Sequence, residues 1–325
     1  MTEVLALKYR PQTFDEVIGQ DQTINQLRSA LEKELLGHAL LFCGTRGTGK
    51  TSTARILAHE LNRAYPEVYE NWENRQHLVL MEIDAASNTG IDNVRDLTEK
   101  LQYATQGHRV VILDEAHMMS KNAFNALLKT LEEPPPKTTF ILVTTEAHKL
   151  IDTVKSRCQI YEFTEIAFKT LEAYFEHIMD LERIEGSPYA VALKSNGSVR
   201  DGLSLIQKGL SGEAQEDNSK RYFELVGAIY SQDVATALGM VSELRKVEEA
   251  RVIVQTLEKW FYWCSMETFG MKTPVREFFG EGDALDFDLA HLQRLFDACL
   301  DVERNFTATP NAKIVLEMGI MRLCL

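Results

Sequence analysis

The 325-residue chain is 45% hydrophobic, carries a formal net charge of −13 and has five cysteines. That length suits two or three domains, and with no run of about 18 apolar residues no membrane span is expected. The acidic balance excludes a simple basic polyelectrolyte, so any nucleic-acid contact must be local, at helix N-termini and a few lysines. The opening MTEVLALKYRP lacks the long apolar core and cleavage site of a signal peptide. Cys43, Cys158, Cys264, Cys299 and Cys324 form no C-x-x-C pair, which predicts reduced, buried thiols in a cytoplasmic protein.

Residues 8–19, KYRPQTFDEVIG, read as an extended lead-in, and helical spacing follows through Ile24, Leu27, Leu31 and Leu35. The apolar run Ala39–Phe42 predicts a strand. Gly44–Thr51, GTRGTGKT, then fits G-x-x-x-x-G-K-[ST], the phosphate-cradling P-loop. Ala54, Leu57, Ala58 and Leu61 mark one face of a helix, so the loop lies between a strand and a helix, as the motif requires. Gly44, Gly47 and Gly49 allow the backbone to wrap with its N–H groups inward, and the helix N-terminus adds positive potential. Lys50 is expected to reach the β and γ phosphates of ATP, and Thr51 to offer its hydroxyl to Mg²⁺. Thr45, Arg46, Thr48 and Ser52 complete the expected nucleotide-binding run.

Residues 62–77 are polar and tyrosine-rich, a surface excursion. Leu78–Ile83 predicts a second strand. Thr89-Gly90-Ile91-Asp92 is a capping-box pattern opening a helix with Val94, Leu97 and Leu101 inward. Val110–Leu113 is fully apolar, as a central parallel strand would be, and ends in Asp114 and Glu115. Carboxylates there have separate tasks: Asp114 for the Mg²⁺ shell, Glu115 to polarise an attacking water. Ser120 reads as the N-cap of a helix carrying Phe124, Leu127, Leu128 and Leu131, stopped by three prolines. Phe140–Val143 and Ile160–Phe163 predict a fourth and a fifth strand, with Thr144 and Thr145 beside the expected γ-phosphate. The alternation predicts a parallel α/β sheet.

From Ile166 onward only helices are expected, with Ser211–Lys220 as linker. In the tail, Ile253, Leu257, Trp260, Phe261 and Cys264 make one helix face, and Ile314, Met318, Met321 and Leu325 another.

KYRPQTF, GTRGTGKTS, EIDAAS, LDEAHM, FNALLKTLEEPP, LVTTE, Ser156-Arg157-Cys158 and GSVRDGLS, in this order and spacing, resemble the bacterial DNA polymerase III gamma/tau subunits, the ATPase motors of sliding-clamp loaders. The resemblance is close over residues 5–210 and weaker in the tail, where VLEMGIMRLCL is similar to the end of that family's collar. It implies an AAA+ α/β domain over 1–165 with a five-stranded parallel sheet, a helical lid over 166–211 and an all-helical collar over 212–325. It implies Arg157 as an arginine finger acting in trans, Arg200 as sensor 2 and Thr145 as sensor 1, with Thr144 the alternative. Arg10, Pro11, Val17, Ile18 and Gly19 would shape the adenine and ribose pocket. Ser87, Asn88, Thr89, Lys121, Lys129 and Lys149 stand where the family meets DNA. The implied partners are other loader subunits in a pentameric spiral, a sliding clamp and primer–template DNA, with no membrane. Two departures are expected. Residues 62–77 hold no cysteine, so the family's zinc module and its structural zinc are not expected, and the long tail of tau, which meets helicase and polymerase, is absent.

Two other readings share the motor motifs. A branch-migration or helicase-loading ATPase should carry a DNA-reading C-terminal domain such as a winged helix, which the weakly basic helical tail does not suggest. A non-catalytic nucleotide-binding scaffold is opposed by the intact set Lys50, Thr51, Asp114 and Glu115.

Overall fold

The computed structural model describes residues 4–64, 79–87, 90–103, 107–210, 218–271, 273–278, 287–308 and 311–325. Five strands, β1 (Ala39–Gly44), β2 (Leu80–Asp84), β3 (Arg109–Asp114), β4 (Thr138–Thr144) and β5 (Gln159–Phe163), pair in the order β2-β3-β4-β1-β5. Every pairing is parallel. Each strand runs one or two residues beyond its apolar run at one or both ends, because backbone pairing continues where side chains turn polar. The second strand starts at Leu80, and the predicted Leu78 lies outside the described residues.

Side chains alternate across the strands, which divides the apolar runs between two cores. Leu41, Cys43, Val111, Leu113, Phe140 and Leu142 pack on one face with Val94, Leu97, Phe124 and Leu127. Leu40, Phe42, Val110, Ile112, Ile141 and Val143 pack on the other with Ile24, Leu27, Ala54 and Leu57. The helices covering the sheet are α2 (Asp21–Glu32), α3 (Lys50–Leu61), α4 (Ile91–Lys100) and α5 (Lys121–Glu132), preceded by the short α1 (Leu5–Lys8). Ser120 caps α5 by accepting the Ala123 N–H, as its sequence predicts. At α4 the N-cap position falls to Gly90, without a side-chain cap, and the predicted cap Thr89 lies outside the described residues. Leu35 is a correction: α2 ends at Glu32 and Leu35 is exposed, because the chain turns through Glu34 at φ +55°.

The chain divides into two compact units, Met1–Glu213 and Ala214–Leu325. The first also contains α6 (Asp152–Lys155) and the helices α7 (Phe168–Glu182), α8 (Pro188–Lys194) and α9 (Val199–Leu210). Those last three share a small core of Leu171, Phe175, Ile178, Val191, Leu203 and Ile206, which Leu5 of α1 joins.

The second unit is helical throughout its described residues: α10 (Ser219–Tyr230), α11 (Val234–Leu244), α12 (Ala250–Thr268), α13 (Leu289–Ala308) and α14 (Ala312–Leu323), with one 3₁₀ turn. The predicted face of Ile253, Leu257, Trp260, Phe261 and Cys264 is buried at its centre. The predicted α14 face is a correction. Ile314, Met318 and Leu325 are exposed, and Leu316, Ile320 and Leu323 are buried instead. Gly319 explains the choice: an added Cβ would lie 2.7 Å from Val302 Cγ2, so α14 approaches α13 on its glycine side. The linker is also shorter than predicted, since Ser219 and Lys220 already belong to α10 and Ser219 is buried.

Candidate functional site

The loop after β1 is shaped by three left-handed or near-forbidden glycines, with φ +141° at Gly44, +74° at Gly47 and +97° at Gly49. Gly44 is required by the sheet, because a Cβ there would lie 1.9 Å from the Phe163 carbonyl oxygen. Gly49 is the N-cap of α3, and no side chain caps the first N–H groups of that helix. Those donors and the helix dipole suit an anion. Lys50 is buried, and its ammonium donates to the carbonyls of Gly44 at 3.0 Å and Thr45 at 2.6 Å. Burial pushes its pKa below the ordinary value, an effect opposed by the Glu115 and Asp114 carboxylates.

Asp114 ends β3, one strand removed from β1 across β4. Its Oδ2 accepts the Thr51 hydroxyl at 3.0 Å, and its Oδ1 accepts the Glu115 N–H at 2.9 Å. Glu115 is left-handed, at φ +48°, which turns the chain sharply off the strand end. An alcohol and a carboxylate in contact form a hard-oxygen pair that fits Mg²⁺, which usually takes one or two protein oxygens and completes its shell with phosphate and water. Thr51 and Asp114 are the residues that would hold such an ion; among the described residues no group of three or more His, Cys, Asp or Glu could hold a metal.

The two threonines after β4 have different neighbours. Thr144 is buried, and its hydroxyl lies 2.9 Å from His117 Nδ1 and accepts the Glu146 N–H at 3.0 Å. Thr145 lines the cavity, with its hydroxyl 3.5 Å from Glu115 Oε2. Of the two, Thr145 lines the cavity and Thr144 does not.

These groups line one cavity of about 400 Å³. Arg10, Pro11, Val17 and Ile18 close it from the N-terminal arm, Arg46 to Ser52 from the loop, Asp114, Glu115 and Thr145 from the strand ends, and Arg200 from α9. Gly44 and Thr45 do not line it. Gly19 does not line it either, and its role is structural: at φ +68°, its Cβ would lie 2.7 Å from Ile166 Cγ2. The arm is tied to α7 and α9. The Leu5 N–H donates to Gln207 Oε1 at 2.7 Å, Lys8 pairs with Glu182 at 2.6 Å, and the Tyr9 hydroxyl donates to the same carboxylate. The Val199 N–H in turn donates to the Gly47 carbonyl at 3.1 Å, joining α9 to the loop.

Comparison with known proteins now decides the family. Residues 19–167 match the family described as DNA polymerase III, delta subunit. The chain is 38% identical over 262 residues to DNA polymerase III subunit tau of Bacillus subtilis, covering 73% of this chain and 46% of that one. Against DNA polymerase III subunit gamma of Buchnera aphidicola it is 27% identical over 359 residues, covering 99% of this chain and 98% of that one. The chain belongs to the DNA polymerase III gamma/tau family. It spans less than half the length of the Bacillus relative. The RuvB Holliday junction branch migration motor of Thermotoga maritima shares the fold, at TM-score 0.50 and 20% identity over 68% of this chain and 79% of that one. The fold is that of an AAA+ P-loop protein with C-terminal helices.

Among the described residues, the remaining predicted ones do not line the cavity. Arg157 follows α6 and is no lining residue. Its Nε donates to Glu132 Oε1 at 2.7 Å, its Nη2 bonds the same oxygen, and its Nη1 donates to the Thr153 carbonyl at 2.6 Å. Ser87 is exposed, with its hydroxyl 3.2 Å from the Asp84 carbonyl. Lys121 and Lys129 are exposed at the two ends of α5, and Lys149 pairs with Glu146 at 2.7 Å. Asn88 and Thr89 lie outside the described residues.

The sequence reading missed part of the wall. Tyr174 and Leu203 line the cavity from α7 and α9. Burial pushes the Tyr174 phenol up to about 12, so it is neutral. Nothing in the sequence marks these two, since an apolar or aromatic residue on a lid helix reads as core. His117 was also passed over, although it stands two residues after Glu115 in the quoted LDEAHM.

Proposed function

We propose that the chain is the ATP-hydrolysing motor subunit of a DNA sliding-clamp loader. The observation that carries this reading is the meeting of Lys50, Thr51, Asp114, Glu115 and Arg200 at one cavity, in a chain 38% identical to a polymerase III tau subunit. Lys50 and the uncapped start of α3 hold the β and γ phosphates. Bound Mg²⁺, held by Thr51 and Asp114, would neutralise phosphate charge. Glu115 accepts a proton from water as that water attacks the γ-phosphorus. The bond to the β–γ bridging oxygen breaks, and ADP and phosphate leave. Thr145 and Arg200 sense the γ-phosphate from the strand end and the lid, and Arg157 reaches a neighbouring subunit's nucleotide. Arg10, Pro11, Val17 and Ile18 enclose the base.

The division into motor (1–165), lid (166–211) and collar (212–325) belongs to this reading, as do a pentameric spiral, a clamp and primer–template DNA as partners, and a cytoplasmic place of action. Among the described residues no helix is long and apolar enough to cross a membrane. Ser87, Asn88, Thr89, Lys121, Lys129 and Lys149 are the proposed DNA contacts, with backbone N–H groups at helix starts supplying what the acidic net charge does not. ATP and DNA would favour the same assembled state. The test is steady-state ATP hydrolysis by the complex purified from its source, with and without primer–template DNA and clamp. Stimulation that needs both supports the reading. Stimulation by DNA alone, with processive strand movement, refutes it. Glu115→Gln should retain ATP binding and lose about 100-fold or more in kcat.

A further inference from the structure

His117 holds no nucleotide contact in the reading above, yet its side chain is only 8% exposed and both ring nitrogens are engaged. Nδ1 lies 2.9 Å from Thr144 Oγ1 and 3.5 Å from Glu115 Oε2. Nε2 lies 3.1 Å from Glu146 Oε2. The other Glu146 oxygen accepts from Lys149 at 2.7 Å. That bond holds the Glu146 carboxyl below the usual range and keeps it an anion.

Hydrogen accounting assigns the ring. Nε2 faces a carboxylate, which only accepts, so Nε2 carries an N–H, and Nδ1 faces the Thr144 hydroxyl. Thr144 can supply the matching donor, because its oxygen already accepts the Glu146 N–H and its own O–H is free to point at the ring. The imidazole is thus fixed at both ends by β4 and the turn after it. Its Nδ1 edge, held by the Thr144 hydroxyl, is then turned toward Glu115 Oε2 at 3.5 Å. The fixed ring forms a wall on one side of the Glu115 carboxylate, which stays turned to Thr145 and the cavity.

We propose that His117 is a positioning residue for hydrolysis. Anchored by Glu146 and Thr144, its ring holds the Glu115 carboxylate in the orientation that receives a proton from the attacking water. The proposal rests on the ATPase reading and deepens it. Misplacing a catalytic group by about 1 Å costs up to about 100-fold, so His117→Ala should lower kcat by about 10- to 100-fold. A side chain that only braced the fold would lower nucleotide affinity and stability together. A positioning residue leaves the KM for ATP within about threefold, because phosphate binding belongs to other groups.

The experiment measures kcat and KM in the co-purified complex for His117→Ala, His117→Gln, Glu146→Ala and the His117→Ala/Glu146→Ala double variant. His117→Gln should recover part of the loss, since an amide offers one donor and one acceptor to the same neighbours. Glu146→Ala should lower kcat with KM retained, and the double variant should be no slower than His117→Ala alone, because Glu146 acts through the ring. Losses that multiply, or a loss confined to KM, overturn the proposal. If His117→Ala does not fold, Glu146→Ala and His117→Gln decide: unchanged kcat in the first, or a loss in the second as deep as that of Glu115→Gln, overturns it. No turnover in the wild-type complex sinks the ATPase reading and this proposal together, and turnover insensitive to Glu115→Gln sinks the role of Glu115 and with it this proposal. Turnover sensitive to Glu115→Gln but indifferent to His117→Ala sinks this proposal only.

Discussion

Gly47→Ala probes how the phosphate loop is joined to the helix that carries Arg200. Gly47 sits at φ +74°, and a Cβ there would lie 1.9 Å from Ser198 Oγ and 2.9 Å from Ser198 Cβ. Its carbonyl also accepts the Val199 N–H at 3.1 Å. The left-handed backbone alone costs a side chain about 1–2 kcal/mol. The Ser198 contact can be relieved only by moving the start of α9, which gives up the Val199 bond at about 0.5–1.5 kcal/mol. In the free Gly47→Ala variant, the loop and the start of α9 are expected to move apart to relieve the contact. Binding must bring them back, so the two terms return as lost affinity. Together they come to about 1.5–3.5 kcal/mol, a loss of about 10- to 300-fold in the Kd of a non-hydrolysable ATP analogue, read by calorimetric titration. Gly49→Ala is the control. Its φ is +97°, but the nearest neighbour of its Cβ is Val17 Cγ1 at 3.5 Å, so it meets only the backbone term. It should lose about 10-fold. Adding Ser198→Gly to Gly47→Ala should recover part of the affinity. The recovery is incomplete because Ser198 Oγ also accepts the Asp201 N–H at 3.1 Å. Equal losses in the two alanine variants, or no recovery, would refute the claim that the lid contact constrains Gly47.

Lys50→Met should abolish ATP-dependent thermal stabilisation yet leave the nucleotide-free protein at least as stable as wild type at pH 7, as differential scanning calorimetry would read. The sign follows from burial, which lowers the Lys50 pKa below its ordinary 10.5. The unfolded chain then binds more protons, so this group's contribution to stability is fullest above 10.5 and is lost as pH falls through the folded value. The advantage of the methionine should therefore shrink as pH is raised toward 10.5. Arg157→Ala should change stability by less than about 1 kcal/mol, since its pair with Glu132 is partly exposed. In mixed assemblies it should remove turnover at the neighbouring site while the variant chain keeps its own ATP affinity. Loss of affinity in the variant chain alone would count against action in trans.

Much of the α/β unit was legible because chemistry and periodicity coincide there. The run Val110–Leu113 reads as a strand buried on both faces, and the structure splits those four residues between two cores. The loop motif and the Asp114–Glu115 pair lie at strand ends, where a parallel sheet must bind ligands. What stayed hidden depends on contacts distant in sequence. The choice between Thr144 and Thr145 turns on His117 and Glu115, which spacing does not place. The tail misled for a different reason. On α14, apolar residues occupy two faces, and only the close approach at Gly319 selects Leu316, Ile320 and Leu323 over Ile314 and Met318.

The placement of Arg157 bears on why such a site would be shared between chains. A γ-phosphoryl group spreads its charge over three oxygens in the transition state, so cations are needed around it. Lys50 and Arg200 line this chain's cavity, and Arg157 does not. Its guanidinium is spent on Glu132 and the Thr153 carbonyl, in a pair whose side chains are 32% and 48% exposed. A pair that wet holds at most about 1 kcal/mol, so a phosphate can displace Glu132 at little cost. A buried, fully bonded arginine in the same place would resist that exchange by several times as much. On the loader reading, the turn before β5 therefore presents a preformed but weakly held cation. Each chain supplies binding for its own nucleotide and the last charge for its neighbour's, which makes hydrolysis conditional on assembly.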